Sequence, residues 1–303
     1  MKNFLFDPDL RVRKTSFQIT SFYMILIGFI YSLVIARFAS GLRSVILLYA
    51  LQPFIVFALP IAGLLYTEKK YSKSLPKRGE PPAAICKKQF VFVALLAAAG
   101  WLFYTYLSYT VAGFRSAVTG GISLAVPVRP AAWQLVLSLL VNGVILSLLR
   151  EYMFRYSGRI AYGDSFIGYL LPCVLSAAVC YDVSIFLRLF VLGALAGFIY
   201  AATGRAVFPF MFAVIFECLQ VVIPSYWVLP LSAYGATSRE AALLCALFCG
   251  AITFALIACI LLLFKPLRVK FTKEKPRFDR ISVVTYILCL VTFIALAVWN
   301  KFI

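Results

Sequence analysis

The stretch AWQLVLSLLVNGVILSLLREYMFRYSGR, residues 132–159, begins as an apolar run and ends in a group of charges. The 18 residues before Arg150 carry no charge, which is the length and composition of a helix that crosses a bilayer. Glu151, Arg155 and Arg159 lie within the nine residues after Arg150. The stretch therefore predicts a membrane helix with a charged end. That end is an active site, the remnant of an active site, or an anchor at an interface.

The rest of the chain repeats this apolar pattern. Apolar residues make up 63% of the 303, charged residues 13%, and the mean hydropathy is +0.97. Ordinary water-soluble domains do not reach such values. We predict an all-α, polytopic transmembrane bundle of about nine helices, in the runs 17–36, 45–66, 89–112, 132–150, 165–182, 185–202, 206–223, 240–264 and 282–299. The first run lacks a small-residue cleavage site, which predicts a retained helix.

The net charge of +18 is distributed in a way that predicts orientation. With the N-terminus inside and nine crossings, 22 of the 29 Lys and Arg residues fall on the inner side. This asymmetry follows the positive-inside rule, so the charge calls for no nucleic-acid partner. We expect the plasma (inner) membrane, with the N-terminus cytoplasmic and the C-terminus outside.

Residue types limit the chemistry that the chain can perform. Histidine is absent, which removes the commonest general base and metal ligand. The eight cysteines show no zinc-like spacing, and Cys245 and Cys249, four apart, favour helix packing. We therefore expect no metal and no cofactor.

Acidic residues inside membrane helices are costly and call for a functional reading or a named partner. Glu151 and Arg155 are four apart, the order that favours an ion pair on one helix face. Asp182 lies near a helix end and pairs most simply with Arg188 at the outer surface. Glu217 lies within VFPFMFAVIFECLQVV and should face the interior, either protonated or paired.

Two basic, proline-containing loops divide the chain into three parts. Residues 1–88 form two helices with a basic cytoplasmic loop, and residues 265–303 form a basic loop and a final helix. Residues 89–264 form the membrane core, which contains the acids of interest.

Two segments of this core resemble the CAAX protease and bacteriocin-processing (CPBP, or Abi) family of intramembrane endopeptidases. In REYMFRY, the residues Glu151, Phe154 and Arg155 match the second Glu, the Phe and the Arg of the family motif Glu-Glu-x-x-x-Arg. In FVLGALAGFIYAATGRAVFPFMFAVIFE, the matching residues are Phe190, Gly193, Gly197, Tyr200, Thr203, Gly204 and Pro209. The resemblance covers residues 145–223 and implies a CAAX-protease-like core. Gly193 and Gly197 form a Gly-x-x-x-Gly face that lets two helices approach closely.

The chain departs from the family at every catalytic position. The resemblance implies that Arg150 replaces the Glu that activates water, and that Ala213 and Glu217 replace the His and Asn of the last motif. The middle motif's His would fall between Cys180 and Ser184, where the register is ambiguous, and the chain has no His. An arginine stays protonated and cannot act as a base. The retained Glu151 and Arg155 fit a structural salt bridge.

Three functions remain open from the sequence. The first is a non-catalytic binding or regulatory homologue, with Arg150, Glu151, Arg155 and Glu217 lining a cavity. Its partners would be the lipid bilayer and a membrane protein or a hydrophobic or prenylated peptide. The second is an endopeptidase with a rewired site, in which Glu217 is the base and Arg150 stabilises an oxyanion. The third is a transporter in which Glu217 carries a proton or meets a cation.

Overall fold

The computed structural model describes most of the chain and is helical in its regular structure. The described residues are 8–38, 51, 53–71, 87–119, 131–163, 165–179, 183–203, 205–226, 238–263 and 280–302. No strand occurs among them. The prediction of an all-α fold is therefore confirmed for the described part of the chain.

Nine helical segments follow one another along the described ranges, each overlapping one of the apolar runs in the sequence. Five are α1 (Pro8–Phe38), α3 (Lys87–Thr119), α5 (Phe166–Ala178), α6 (Val183–Thr203) and α7 (Val207–Tyr226). Two more are α8 (Ser238–Leu263) and α9 (Arg280–Phe302). The segment α2 starts with a π-helical part, Pro53–Ala58, and continues as Leu59–Tyr71.

The segment α4 contains the opening stretch and alternates between two helical forms. It runs through Ala132–Ser138, Leu139–Leu146, Ser147–Glu151, Tyr152–Ser157 and Gly158–Tyr162, of which the second and fourth parts are π-helical. Such wide turns are rare and often occur at functional sites. The five residues that include Arg150 and Glu151 therefore lie between two wide turns.

Four of the described helices are long and apolar enough to cross a membrane. They cover Lys88–Val111, Ala132–Tyr162, Ile185–Thr203 and Ala242–Leu262. Three shorter apolar helices cover Phe166–Ala178, Val207–Ile223 and Ser282–Thr292. On α8, Leu247, Phe254 and Leu262 are 69%, 77% and 84% exposed, as expected of side chains that face lipid. The length and composition of these helices support a membrane-embedded helical fold. The CAAX-protease-like core stays a prediction.

Packing divides the chain into two compact units, neither of which is continuous in sequence. The first unit comprises Met1–Ala84, Ile145–Phe210 and Val269–Ile303. The second unit comprises Ile85–Val144 and Met211–Arg268. The three-part division expected from the basic loops stays a prediction.

The core of the first unit forms where α1 packs on the end of α4. The ring of Phe17 lies edge-on to Phe154 and Tyr162, with centroids 6.3 and 5.8 Å away. Gly158 lies against the ring of Pro172 on α5, and a Cβ at this position would approach the Pro172 Cγ to 2.8 Å. Close contact between α4 and α5 thus depends on a residue without a side chain, one turn after Arg155 and two turns after Glu151.

The core of the second unit is the packing of α3 on α8. Gly250 lies against Tyr106, and a Cβ there would meet the ring at 3.2 Å. The indole of Trp101 donates a 2.9 Å hydrogen bond to the Gln220 Oε1 on α7. Interhelical hydrogen bonds of this kind replace partners that water would otherwise supply.

Candidate functional site

The charged residues of α4 lie inside the first unit and not on its surface. Arg150, Glu151 and Arg155 are 4%, 0% and 4% exposed. Charged side chains are seldom fully buried unless they are paired. These three residues are therefore the strongest candidates for a functional site in this unit.

Glu151 and Arg155 form the ion pair that their spacing predicts. The Arg155 Nε lies 3.4 Å from a carboxylate oxygen of Glu151. Within the described part of the chain, neither oxygen of Glu151 has a hydrogen-bond partner, nor has any guanidinium nitrogen of Arg155. The two opposite charges thus compensate each other, but the donors of Arg155 and the acceptors of Glu151 remain without hydrogen bonds. Leaving buried polar atoms without hydrogen bonds lowers the stability of the fold.

Gly193 on α6 makes room for the Arg155 guanidinium. A Cβ on Gly193 would overlap the Arg155 Nη2 and would lie 3.3 Å from the Cβ of Cys173 on α5. Gly197, one turn later, meets only Tyr169 of α5, at 3.8 Å. The two glycines therefore do face a neighbouring helix, as expected. Gly193 in addition leaves room for the buried Arg155 guanidinium, which the spacing of residues in the sequence could not predict.

Arg150 is stabilised by a different neighbour. Its guanidinium lies over the Phe57 ring, 5.9 Å from the centroid, in the π-helical part of α2. A cation over an aromatic face is attracted by the negative face of the ring. Phe57 is almost 100 residues earlier in the sequence, so no local pattern predicts the contact.

Arg159 and the remaining motif residues of the first unit have structural contacts. Arg159 lies over the Tyr200 ring, 4.5 Å from the centroid, and Tyr200 lies beside Tyr169. The Thr203 hydroxyl donates to the Ile199 carbonyl at 2.7 Å, near the end of α6. Phe190 stacks on Phe186. Pro209 is buried, and Gly204 lies outside the described residues.

The second unit contains the other two replaced positions. Glu217 on α7 is 2% exposed and Ala213, one turn before it, is 0% exposed. Burial of Glu217 is what an acid in a membrane helix requires. The Sγ of its neighbour Cys218 lies against Gly143 of α4. Glu217 and Ala213 thus belong to one unit and Arg150, Glu151 and Arg155 to the other, and the expectation that all line one cavity stays a prediction.

The middle family motif lies largely outside the described residues. Cys180 and Asp182 are not described, and for Ser184 only the helical backbone is. The register of the motif between Cys180 and Ser184 therefore stays ambiguous. The pairing of Asp182 with Arg188 stays a prediction. The described residues contain no group of three potential metal ligands.

A second buried pair, Arg13 and Glu68, was not singled out from the sequence. They are 3% and 8% exposed and lie at the ends of their apolar runs, where side chains usually reach water. Burial raises the pKa of the Glu68 carboxyl, and the Arg13 guanidinium lowers it by a smaller amount. Both residues belong to the first unit, which therefore buries a second group of opposite charges.

Comparison with known proteins finds no matching family model, no matching curated protein and no matching solved structure. The resemblance to the CPBP family consequently depends on the quoted motif residues alone.

Proposed function

We propose that this chain is a membrane-embedded binding or regulatory protein, related to the CPBP endopeptidases and without their activity. It would hold a membrane protein or a hydrophobic or prenylated peptide. The observation that carries the proposal is the buried ion pair of Glu151 with Arg155, at the one motif position where an acid is retained.

A peptidase of this type needs a base with access to water and a donor for the developing oxyanion. Glu151 has no exposed surface and has Arg155 as its neighbour, so its carboxylate compensates a buried cation. Arg150 cannot accept a proton, Ala213 has no polar atom, and the chain has no His. The residues present support helix packing and ligand contact better than hydrolysis.

The decisive experiment is a cleavage assay with the purified protein in phosphatidylcholine nanodiscs. Prenylated peptides and leader peptides serve as substrates, and mass spectrometry detects products. We expect uncut substrate. Cleavage that is lost in Glu217→Gln, with Arg11→Gln as an active control, would replace this proposal by the rewired endopeptidase.

Orientation in the membrane is a separate part of the proposal. The 22 to 7 distribution of basic residues supports a cytoplasmic N-terminus and an outer C-terminus in the plasma (inner) membrane. Fusions of alkaline phosphatase and of green fluorescent protein to the C-terminus test it. Phosphatase activity without fluorescence is expected, and the reverse pattern would contradict the orientation.

A further inference from the structure

Three charged side chains lie together inside the first unit. Arg150, Glu151 and Arg155 are all at least nine-tenths buried. Both arginines lie close enough to Glu151 to act on it electrostatically. Arginine keeps its proton in proteins, so the Arg155 guanidinium stays positive at any physiological pH and needs acceptors for its donors.

Arg155 has more donors than its neighbours satisfy. Its Nη1 and Nη2 are enclosed and have no acceptor among the described residues, and its Nε lies 3.4 Å from a Glu151 carboxylate oxygen. Each unmade hydrogen bond of a buried charged group costs more than that of a neutral group. The two terminal nitrogens of a guanidinium form a planar fork that matches two oxygens of a carboxylate or a phosphate.

A further donor lies on the neighbouring helix α5. The Ser176 hydroxyl is buried and has no described partner, and it lies one turn after Cys173, which contacts the Gly193 position together with Arg155. A hydroxyl can donate to an anion or accept from a guanidinium, so Ser176 suits the margin of such a site.

We propose that Arg155, with its fork directed between α4, α5 and α6, binds an oxyanion that is not part of this chain: a carboxylate or phosphate group of the ligand. This inference rests on the proposed binding function and adds to it the chemical class of the ligand. The anion accepts from Nη1 and Nη2. Arg150, held over Phe57, raises the local positive potential. The wide turn Tyr152–Ser157 includes Arg155, which gives the helix a place to adjust as the ligand enters.

The test measures thermal unfolding of the full-length protein in phosphatidylcholine nanodiscs, followed by tryptophan fluorescence. Sodium formate, sodium acetate and inorganic phosphate are titrated at constant ionic strength against sodium chloride, and a second series incorporates phosphatidic acid into the discs. We expect Tm to rise by about 2 °C at ten times the Kd of the bound oxyanion. A rise with formate or acetate identifies a carboxylate ligand, and a rise with phosphatidic acid alone identifies a lipid phosphate.

Two substitutions and one control decide whether Arg155 is responsible. Arg155→Lys keeps the charge but loses the fork, and we expect binding at least about tenfold weaker. Arg155→Gln should abolish the rise, and Arg11→Gln, which removes an exposed cation of the same unit, should not change it. Arg155→Lys decides the matter if the glutamine variant does not fold.

Absence of any oxyanion-dependent rise in the wild type would overturn the inference, because ordered water would then satisfy the donors. An undiminished rise in Arg155→Lys would overturn it as well. Either result leaves the non-catalytic binding role standing, whereas peptide cleavage would refute that role without affecting anion binding.

Discussion

The two units of this protein differ in what they bury. Among the residues whose burial is described, the first unit encloses five charged side chains and the second encloses one. The five are Arg13, Glu68, Arg150, Glu151 and Arg155, and the one is Glu217. The second unit is otherwise filled by apolar side chains, with close contacts such as that between Gly250 and Tyr106. Lipid gives helices no hydrophobic drive to associate, so the first unit combines charge pairing with close packing and the second depends mainly on close packing.

The largest expected effect breaks the charge pairing of the first unit. Glu151→Leu removes the carboxylate that pairs with the buried Arg155, and we expect the free energy of unfolding to fall by about 3–5 kcal/mol. Thermal unfolding in detergent micelles measures this loss. The double variant Glu151→Leu/Arg155→Leu should recover part of it, because it also removes the uncompensated cation. Arg11→Gln should stay within about 0.5 kcal/mol of wild type, and a similar result for Glu151→Leu would contradict the account.

A matched set of glycine substitutions separates the two kinds of packing. Gly193→Ala places a methyl group on the Arg155 guanidinium, and we expect a loss of about 1–3 kcal/mol. Gly197→Ala meets only ordinary contacts at 3.8 Å and should be neutral or slightly stabilising, since alanine favours the helix. In the second unit, Gly143→Ala meets the Cys218 Sγ at 2.9 Å, and Cys218→Ala should relieve that clash. Equal losses at 193 and 197 would show that Arg155 does not need the space.

A smaller effect is expected from the hydrogen bond of the second unit. Trp101→Phe removes the donor to Gln220 and leaves a partly buried amide oxygen, at a cost of about 1 kcal/mol. This cost is measured by the thermal unfolding of Trp101→Phe and of the double variant Trp101→Phe/Gln220→Leu. The double variant should be the more stable of the two. If it is less stable, the amide contributes through packing and not through this bond.

The smallest effect concerns pH and the pair at the end of α2. Burial raises the pKa of Glu68, so the folded chain holds this proton more tightly than the unfolded chain does. The resulting stabilisation is complete below the unfolded pKa of about 4.5 and is lost as pH rises through the raised value. Tm measured between pH 4 and pH 8 should fall in wild type relative to Glu68→Gln, which keeps the neutral form. A parallel course of the two curves would argue that Glu68 is not the titrating group.

Local patterns in the sequence predicted the parts of this structure that depend on local chemistry. Apolar runs predicted the helices, and the four-residue spacing predicted the pair of Glu151 with Arg155. The contact of Arg150 with Phe57 and the space that Gly193 leaves for Arg155 join distant segments, so no spacing predicts them. The burial of Arg13 and Glu68 could not be predicted either, because side chains at the ends of apolar runs ordinarily reach water.

The π-helical parts of α4 allow the helix to hold extra residues without turning its charged face. A π-helical turn contains more residues than an α-helical turn, so it takes up an inserted residue locally. Deleting one residue from Leu139–Leu146 would therefore restore an ordinary turn and leave Arg150 and Glu151 on the face that they have now. The same deletion in an ordinary α-helical turn would instead rotate the side chains that follow it by about 100°.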